Sequence, residues 1–433
     1  MNLLDVNDTP GSYPPSYYAQ TTSLLAPFPS AQGSIHTDIC VVGGGYTGLS
    51  AALHLARRGY DVLVLEAQRF GFGASGRNGG QVGSGQRLDQ EVLEASYGME
   101  RARFLWDSAQ EARALVDSLV AEGIDCDLKP GVIYASERSS DIASAHAAAT
   151  HLADRYGYTT TPLDAAALRA LVDRPAYCGG VLDPGAAHLS PLKLVLGMAR
   201  AAQEAGAQLC EGSRVTAIAD AGPHVQITTA GASITAEHVI LAGNGYLGDL
   251  EQGTAAHVMP INSYMVATSP LGDLAETLLP QDNAVADSRF VVNYFRLSPD
   301  RRLLFGGGES YRYRFPKDIA AKVRRPLSQI FPQLAGVQID YAWGGTLGIT
   351  RSRLPYAARP SARVLSAGGY SGHGLALSLW LGRAMAQAID GDRDRFDRFA
   401  EIPAQAFPGG AALRGPLLMG AMTAAALGDR MPF

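Results

Sequence analysis

Apolar positions change their spacing twice between residues 37 and 67. The run "TDICVV", 37–42, ends in four consecutive apolar residues, Ile39 to Val42, and predicts a short buried strand. In "LSAALHLARRGY", 49–60, Leu49, Leu53, Leu55 and Ala56 fall on one side at helical spacing. "DVLVLEA", 61–67, predicts a second strand. The three together make a strand–helix–strand unit.

Beyond it the pattern changes. Residues 88–180 predict helices at 89–97, 99–122, 139–156 and 164–172, with short strands near 124–128 and 131–135. Strand–helix alternation returns at 178–250. It gives way at 258–340 to mixed strands with a helix at 318–331, and resumes with "ARVLSAGGYSGHG" and a helix at 375–390. The prediction is an α/β chain, α+β overall, in which two domains are interleaved. One takes 36–87, 178–250 and 341–395; the other takes 88–177 and 251–340. An arm at 1–35, rich in Pro, Ser and Tyr, and a tail at 396–433 flank them.

Composition narrows the function. The 433 residues are 47% hydrophobic and 18% charged, with net charge −5 and scattered basic residues, so a nucleic-acid partner is not expected. Lysines number four, Lys129, Lys193, Lys317 and Lys322. The cysteines Cys40, Cys126, Cys178 and Cys210 form no CxxC pair, which suits reduced thiols in a cytoplasmic protein, and no metal site is expected. No signal peptide is apparent, and the apolar run 415–428 is too short to span a bilayer.

The predicted unit carries a ligand signature. Gly43, Gly45 and Gly48, with Tyr46 and Thr47 between them, form GxGxxG at a strand–helix junction. The first glycine permits a tight turn, the second a close approach of a pyrophosphate, and the third tight helix–strand packing. Glu66 ends the second strand, where an acid accepts hydrogen bonds from a ribose. The next stretch, "GFGASGRNGGQ", 71–81, has five glycines in eleven residues and is costly to order. A nicotinamide nucleotide gives such a loop no purpose, whereas a flavin has a flat ring that backbone amides can cradle. A mobile surface lid is the other reading. Arg77 within the loop is open between a phosphate or flavin carbonyl contact and a solvated cation. A later turn, Tyr370-Ser371-Gly372-His373-Gly374, opens another helix whose N-terminus would stabilise charge on a reduced ring. No second GxGxxG stands at a strand–helix junction, which argues against an NADPH-fed monooxygenase or a disulfide reductase.

These motifs resemble the glycine oxidase, sarcosine oxidase and D-amino-acid oxidase family of flavoproteins, closest to the branch acting on gamma-glutamylputrescine. The likeness also runs through "LDPGAAHLSPLKL", "VILAGNGYLGD", "FPQLAGVQIDYAWGG" and "GYSGHG". It implies an FAD domain of glutathione-reductase type, a mixed-sheet substrate domain, and oxidation of an amine C–N bond by hydride transfer to flavin N5. The imine would hydrolyse to an aldehyde, with O2 reduced to H2O2.

The implied substrate is gamma-glutamylputrescine or a related gamma-glutamyl polyamine. Sarcosine, glycine or proline is the alternative, and a tRNA-modifying or purely structural flavoprotein ranks below both. By the resemblance, Glu66 and Ala67 meet the ribose and Val215 the adenine. Ser75, Gly76, Arg77, Asn78, Gly79, Gln81 and Gly243 line the cofactor, and Gly369, Gly372, His373 and Gly374 its pyrimidine edge.

Two departures matter. No cysteine follows Cys210, so FAD is expected to be non-covalent. Where glycine oxidases carry W-x-G-x-R-P, this chain has Leu347 and Gly348 for Arg-Pro, so the clamp for an adjacent carboxylate is missing there. Arg351 or Arg353 would be its substitute. Trp343, Tyr264 and Tyr294, with Tyr246 and Tyr370, are the candidates to enclose the amine. Of the four lysines only Lys193, in "LDPGAAHLSPLKL", lies in a matched stretch, which leaves the electron acceptor, O2 or another, open, as is the oligomeric state.

Overall fold

The computed structural model describes residues 3–173, 177–220, 222–289, 291–310 and 313–409. The tail run 415–428 lies outside these.

The strand Gly33–Val42 sits at the centre of an eight-stranded sheet because its second half, Ile39–Val42, is apolar and buried on both faces and both its edges are paired. It runs parallel to Val62–Leu65 on one side, with Val42 opposite Leu65, and to Ala232–Leu241 on the other, with Cys40 opposite Val239. Gln208–Cys210 and Val364–Gly368 extend the parallel set, Tyr356–Ala358 closes one edge, and an antiparallel ribbon, Val215–Asp220 with Val225–Thr229, branches off Ala232–Leu241. The helix Tyr46–Ala56 crosses from the first strand to the second. It is buried nearly all round because the helices Leu375–Ile389 and Pro191–Glu204 pack on it. A Cβ at Gly382 would come within 2.3 Å of the Thr47 carbonyl, so that glycine sets how closely two of these helices cross.

A second sheet of nine strands runs Ile339–Ile349, Met259–Thr268, Leu303–Ser310, Tyr294–Leu297, Ala284–Asp287, Lys129–Ser136, Gly179–His188 and Gln81–Val82, with Thr161–Asp164 beside Gly179–His188. One face, with Tyr264, Val266, Phe295 and Phe305, packs under the helix Ile319–Ile330. The other, with Met265, Leu304 and Trp343, joins the large core that includes the helices of the first sheet.

Several expectations change. Gly179–His188 and Ile339–Ile349 pair within the second sheet, although 178–250 and 341–395 were assigned from sequence to the nucleotide-binding segments. Both strands have apolar character that suits either sheet, and only pairing decides between them. No strand forms at 124–128, where Asp127 takes φ +55°, and a single strand Lys129–Ser136 follows. The helix expected over 164–172 is Ala165–Arg169. The arm contains a helix, Tyr17–Thr21, whose two tyrosines are buried.

Candidate active site

Gly43 leaves its strand with φ +115°, and a Cβ there would stand 2.8 Å from the Ala242 carbonyl oxygen, beside Gly243. A Cβ on Gly48 would lie 2.0 Å from the Gly43 oxygen. These contacts bring the helix Tyr46–Ala56 down onto the strand end. Its N-cap is Gly45, which offers no side-chain acceptor to the first-turn amides; among the described residues the Tyr46 amide alone is engaged by a side chain, the Ser75 hydroxyl at 3.0 Å. A glycine cradle at a helix N-terminus with open amide donors suits a pyrophosphate.

Glu66 lies beside it. Its carboxylate accepts the amides of Gly44 at 2.7 Å and Gln68 at 2.8 Å, on different oxygens, and a further bond from the Ala67 amide. Burial still pushes it up to about 7, the amides only partly opposing this. Residues 212–215 run alongside, with Ser213 N bonded to the Glu66 carbonyl at 2.8 Å and Gly212 N to that of Gln68 at 3.1 Å. This brings Val215 to the Glu66 end of the groove, where an adenine is expected.

The glycine-rich loop is folded as an ordered turn. Ala74–Gly76 is a single 3-10 turn, and a Cβ at Gly76 would stand 2.2 Å from the Gly71 oxygen. Asn78 pins it by donating to the carbonyls of Ala74 and Ser75 and accepting from the Gly80 amide. Gly79 lies under the Tyr294 ring, and its carbonyl accepts from the buried Arg296 Nε at 2.9 Å. Gln81 is tied to the Val285 carbonyl at 2.8 Å.

Arg77 is 3% exposed, which removes the solvated reading. Its Nε donates to Phe72 O at 2.5 Å, its Nη1 to Gly344 O at 3.1 Å and to Asp8 at 2.8 Å. The guanidinium lies 4.4 Å from the Phe72 ring centroid. Nη2 is buried without a protein acceptor among the described residues, leaving one donor for a ligand.

The later turn converges on the same region. Gly369 and Gly372 take φ +69° and +82°, Gly374 caps the helix Leu375–Ile389, and Leu347 approaches Gly372. His373 Nε2 is 2.9 Å from the Gly85 carbonyl. Burial lowers the imidazole to about 4, so the ring is neutral near pH 7. A carbonyl only accepts, so Nε2 carries the proton and Nδ1 is left as an acceptor.

The aromatic candidates separate by strand parity. Trp343 pairs with Met265, which also pairs with Gly306, itself opposite Tyr294; all four side-chain positions face the glycine loop. Tyr264 pairs with Gly344 and projects to the other face, edge-on to Phe315 and under Lys322 Nζ at 5.4 Å. The enclosure expected around an amine therefore does not include Tyr264. Trp343 is fully packed and donates Nε1 to the Arg77 carbonyl at 3.0 Å, a buttress for the loop. Tyr370 is bonded to Thr47 at 2.7 Å within the helix packing, while Tyr246 accepts the Thr346 amide at 3.3 Å.

Sequence reading missed Asn244, Arg296 and Gln68. Asn244 holds φ +48° and its Oδ1 accepts the Gly369 amide at 2.8 Å, tying the turn after Ala232–Leu241 to the one after Val364–Gly368. The Asn-Gly pair at 244–245 was its only local signal.

Comparison with known proteins supplies the rest. The profile of DAO, described as FAD dependent oxidoreductase, matches residues 38–388. The chain is 42% identical over 420 residues to gamma-glutamylputrescine oxidoreductase of Escherichia coli (strain K12), covering 96% of this chain and 98% of that one. It is 25% identical to glycine oxidase of Geobacillus kaustophilus (strain HTA426), covering 83% and 94%. The crystal structure of a Geobacillus kaustophilus glycine oxidase superposes with TM-score 0.71 at 23% identity, over 82% of this chain and 95% of that one.

Proposed function

Because the chain belongs to the DAO family of FAD-dependent oxidoreductases, we propose that it oxidises the primary amine of gamma-glutamylputrescine or a closely related gamma-glutamyl polyamine. The end-to-end match to the Escherichia coli gamma-glutamylputrescine oxidoreductase carries this reading. The pair Leu347 and Gly348 supports it, since a substrate whose carboxylate is remote from the amine needs no arginine there.

The residues present fit FAD: a glycine cradle that any Cβ would fill, uncapped helix amides, and an acid at the second strand end. Gly43–Gly48 would hold the pyrophosphate, Glu66 the ribose, Val215 the adenine, and Ser75–Gly79, Gln81 and Gly369–Gly374 the ring. When bound, the flavin supplies the two-electron acceptor that turns the amine C–N bond into an imine, which water hydrolyses to aldehyde and ammonia. Binding is proposed to be non-covalent, since the chain has no cysteine after Cys210.

The chain's own work is positioning and water exclusion. Tyr294, over Gly79 and near the Ser263 hydroxyl at 3.3 Å, is the aromatic proposed to face the amine. Trp343 fixes the loop beside it, and His373 offers a neutral ring whose Nδ1 can accept a hydrogen bond. O2 is the proposed final acceptor. Lys129 and Lys193 are paired with Asp282 and Asp127, and Lys322 lies on the far face of the sheet with Tyr264. Oxygen reactivity would then rest on groups other than these three.

Anaerobic mixing of the purified holoprotein with gamma-glutamylputrescine should bleach the visible flavin band within seconds, with putrescine, sarcosine, glycine and proline slower by at least about ten-fold. Equal or faster bleaching by any of the last three would overturn the assigned substrate. Peroxide yield on readmitting air then tests O2 as acceptor.

A further inference from the structure

The arm makes a set of contacts that the proposed chemistry does not use. Gln68, two residues beyond Glu66, grips it twice: its Oε1 accepts the Gly11 amide at 2.6 Å, and its Nε2 donates to the Leu4 carbonyl at 3.0 Å. Asp5 pairs with Arg214, next to Val215, at 2.9 Å. Asn7 holds the second sheet's side, donating to the Tyr313 carbonyl at 2.7 Å and accepting the Phe315 amide at 2.8 Å. Between these, Asp8 pairs with Arg77. The Tyr13 hydroxyl donates to the Phe70 carbonyl at 2.8 Å, at the start of the glycine-rich loop.

Residues 4–13 thus run out from Gln68 at Leu4 to the Tyr313 and Phe315 segment at Asn7, meet the glycine loop at Asp8, and return to Gln68 at Gly11 and to Phe70 at Tyr13. Their one deeply buried charge contact falls on the loop's one cation: the side chains of Arg77 and Asp8 are 1% and 10% exposed. A buried guanidinium needs a counter-ion, and Asp8 is the only carboxylate paired with it among the described residues. Arg77 in turn joins Phe72 O, inside the loop, to Gly344 O, on the second sheet.

We propose that residues 4–13 are a strap that holds the glycine-rich loop closed on FAD, with Asp8 as the positioning residue acting through Arg77. The proposal rests on the cofactor placement above. It does not depend on which amine is oxidised. The strap slows cofactor escape by making loop opening require the separation of a buried ion pair.

The test is the rate at which purified holoprotein releases FAD on dilution, read as recovered flavin fluorescence. Asp8→Asn should speed release by about ten- to a hundred-fold, the worth of one charged hydrogen bond, while Asp8→Glu should recover most of the retention. Arg77→Gln, which also loses the bonds to Phe72 O and Gly344 O, should release FAD at least as fast as Asp8→Asn, and the double variant should release no faster than Arg77→Gln, because the Asp8 contact acts only through Arg77. Asn7→Ala, at a more exposed anchor, should release FAD about three-fold faster and leaves folding undisturbed, so it decides the matter if Asp8→Asn fails to fold. Proteolysis within residues 1–13 should also be faster in apoprotein than in holoprotein. Unchanged release in Asp8→Asn and Asn7→Ala, or additive effects of Asp8 and Arg77, overturns the strap. A wild type that holds FAD but is bleached by no amine overturns the proposed reaction and leaves the strap standing.

Discussion

Gly48→Ala should yield a colourless protein that retains no FAD through purification and melts well below wild type. The added Cβ would sit 2.0 Å from the Gly43 carbonyl oxygen and 3.0 Å from Val41 Cγ1. The first partner is backbone at φ +115° and cannot rotate away. The helix Tyr46–Ala56 must therefore lift from the strand end. It is also wedged against Leu375–Ile389, where Gly382 already meets Thr47, so the shift propagates. Overpacking of this kind costs about 1–3 kcal/mol or more, and it displaces the amides that would bind the pyrophosphate. Gly59→Ala is the control. Gly59 also has positive φ, +88°, but open space around its Cβ position, so it should lose about 1 kcal/mol and keep its cofactor. Absorbance of the purified proteins and their thermal midpoints distinguish the two cases. Retained flavin in Gly48→Ala would mean that the third glycine does not set the cradle.

What the sequence made legible follows physical range. The first strand, the crossing helix, the second strand and Glu66 lie within thirty residues of one another, and local periodicity with glycine chemistry specifies them. The fold class and the FAD-dependent family were legible for the same reason, being carried by contiguous motifs. Sheet membership of Gly179–His188 and Ile339–Ile349 was not, because pairing between distant strands leaves no local trace.

The aromatic assignments show the same divide. Tyr264 and Trp343 were both candidates to enclose the amine, yet they take opposite faces because of a register that only the folded sheet fixes. Arg77 is the sharpest instance. Its residue type suggested a phosphate or flavin partner, whereas its three side-chain hydrogen bonds go to Asp8, Gly344 and Phe72, two of them distant in sequence. No feature of "GFGASGRNGGQ" names them.

Glu66→Gln should weaken FAD binding by about thirty- to a hundred-fold and flatten its pH dependence. One Glu66 oxygen accepts the Gly44 amide and the other the Gln68 amide. A glutamine must aim its own NH2 at one of them, so a buried donor loses its acceptor, at about 2–3 kcal/mol. The pH effect follows from the same carboxyl. With its pKa raised from 4.5 to about 7, the folded apoprotein favours the protonated acid. That contribution to stability is fully present below the ordinary value near 4.5 and is lost as pH rises through about 7. Ribose hydroxyls donate, so FAD selects the ionised form and its binding releases a proton. Affinity of wild type should therefore climb between pH 5 and 7, by at most about ten-fold per unit, and level off above. Titrations of apoprotein with FAD across this range, with calorimetry in two buffers of different ionisation enthalpy, measure both the slope and the proton. A wild-type affinity that is flat from pH 5 to 8 would remove Glu66 from the ribose site, whereas a slope that persists in Glu66→Gln would place the titrating group elsewhere.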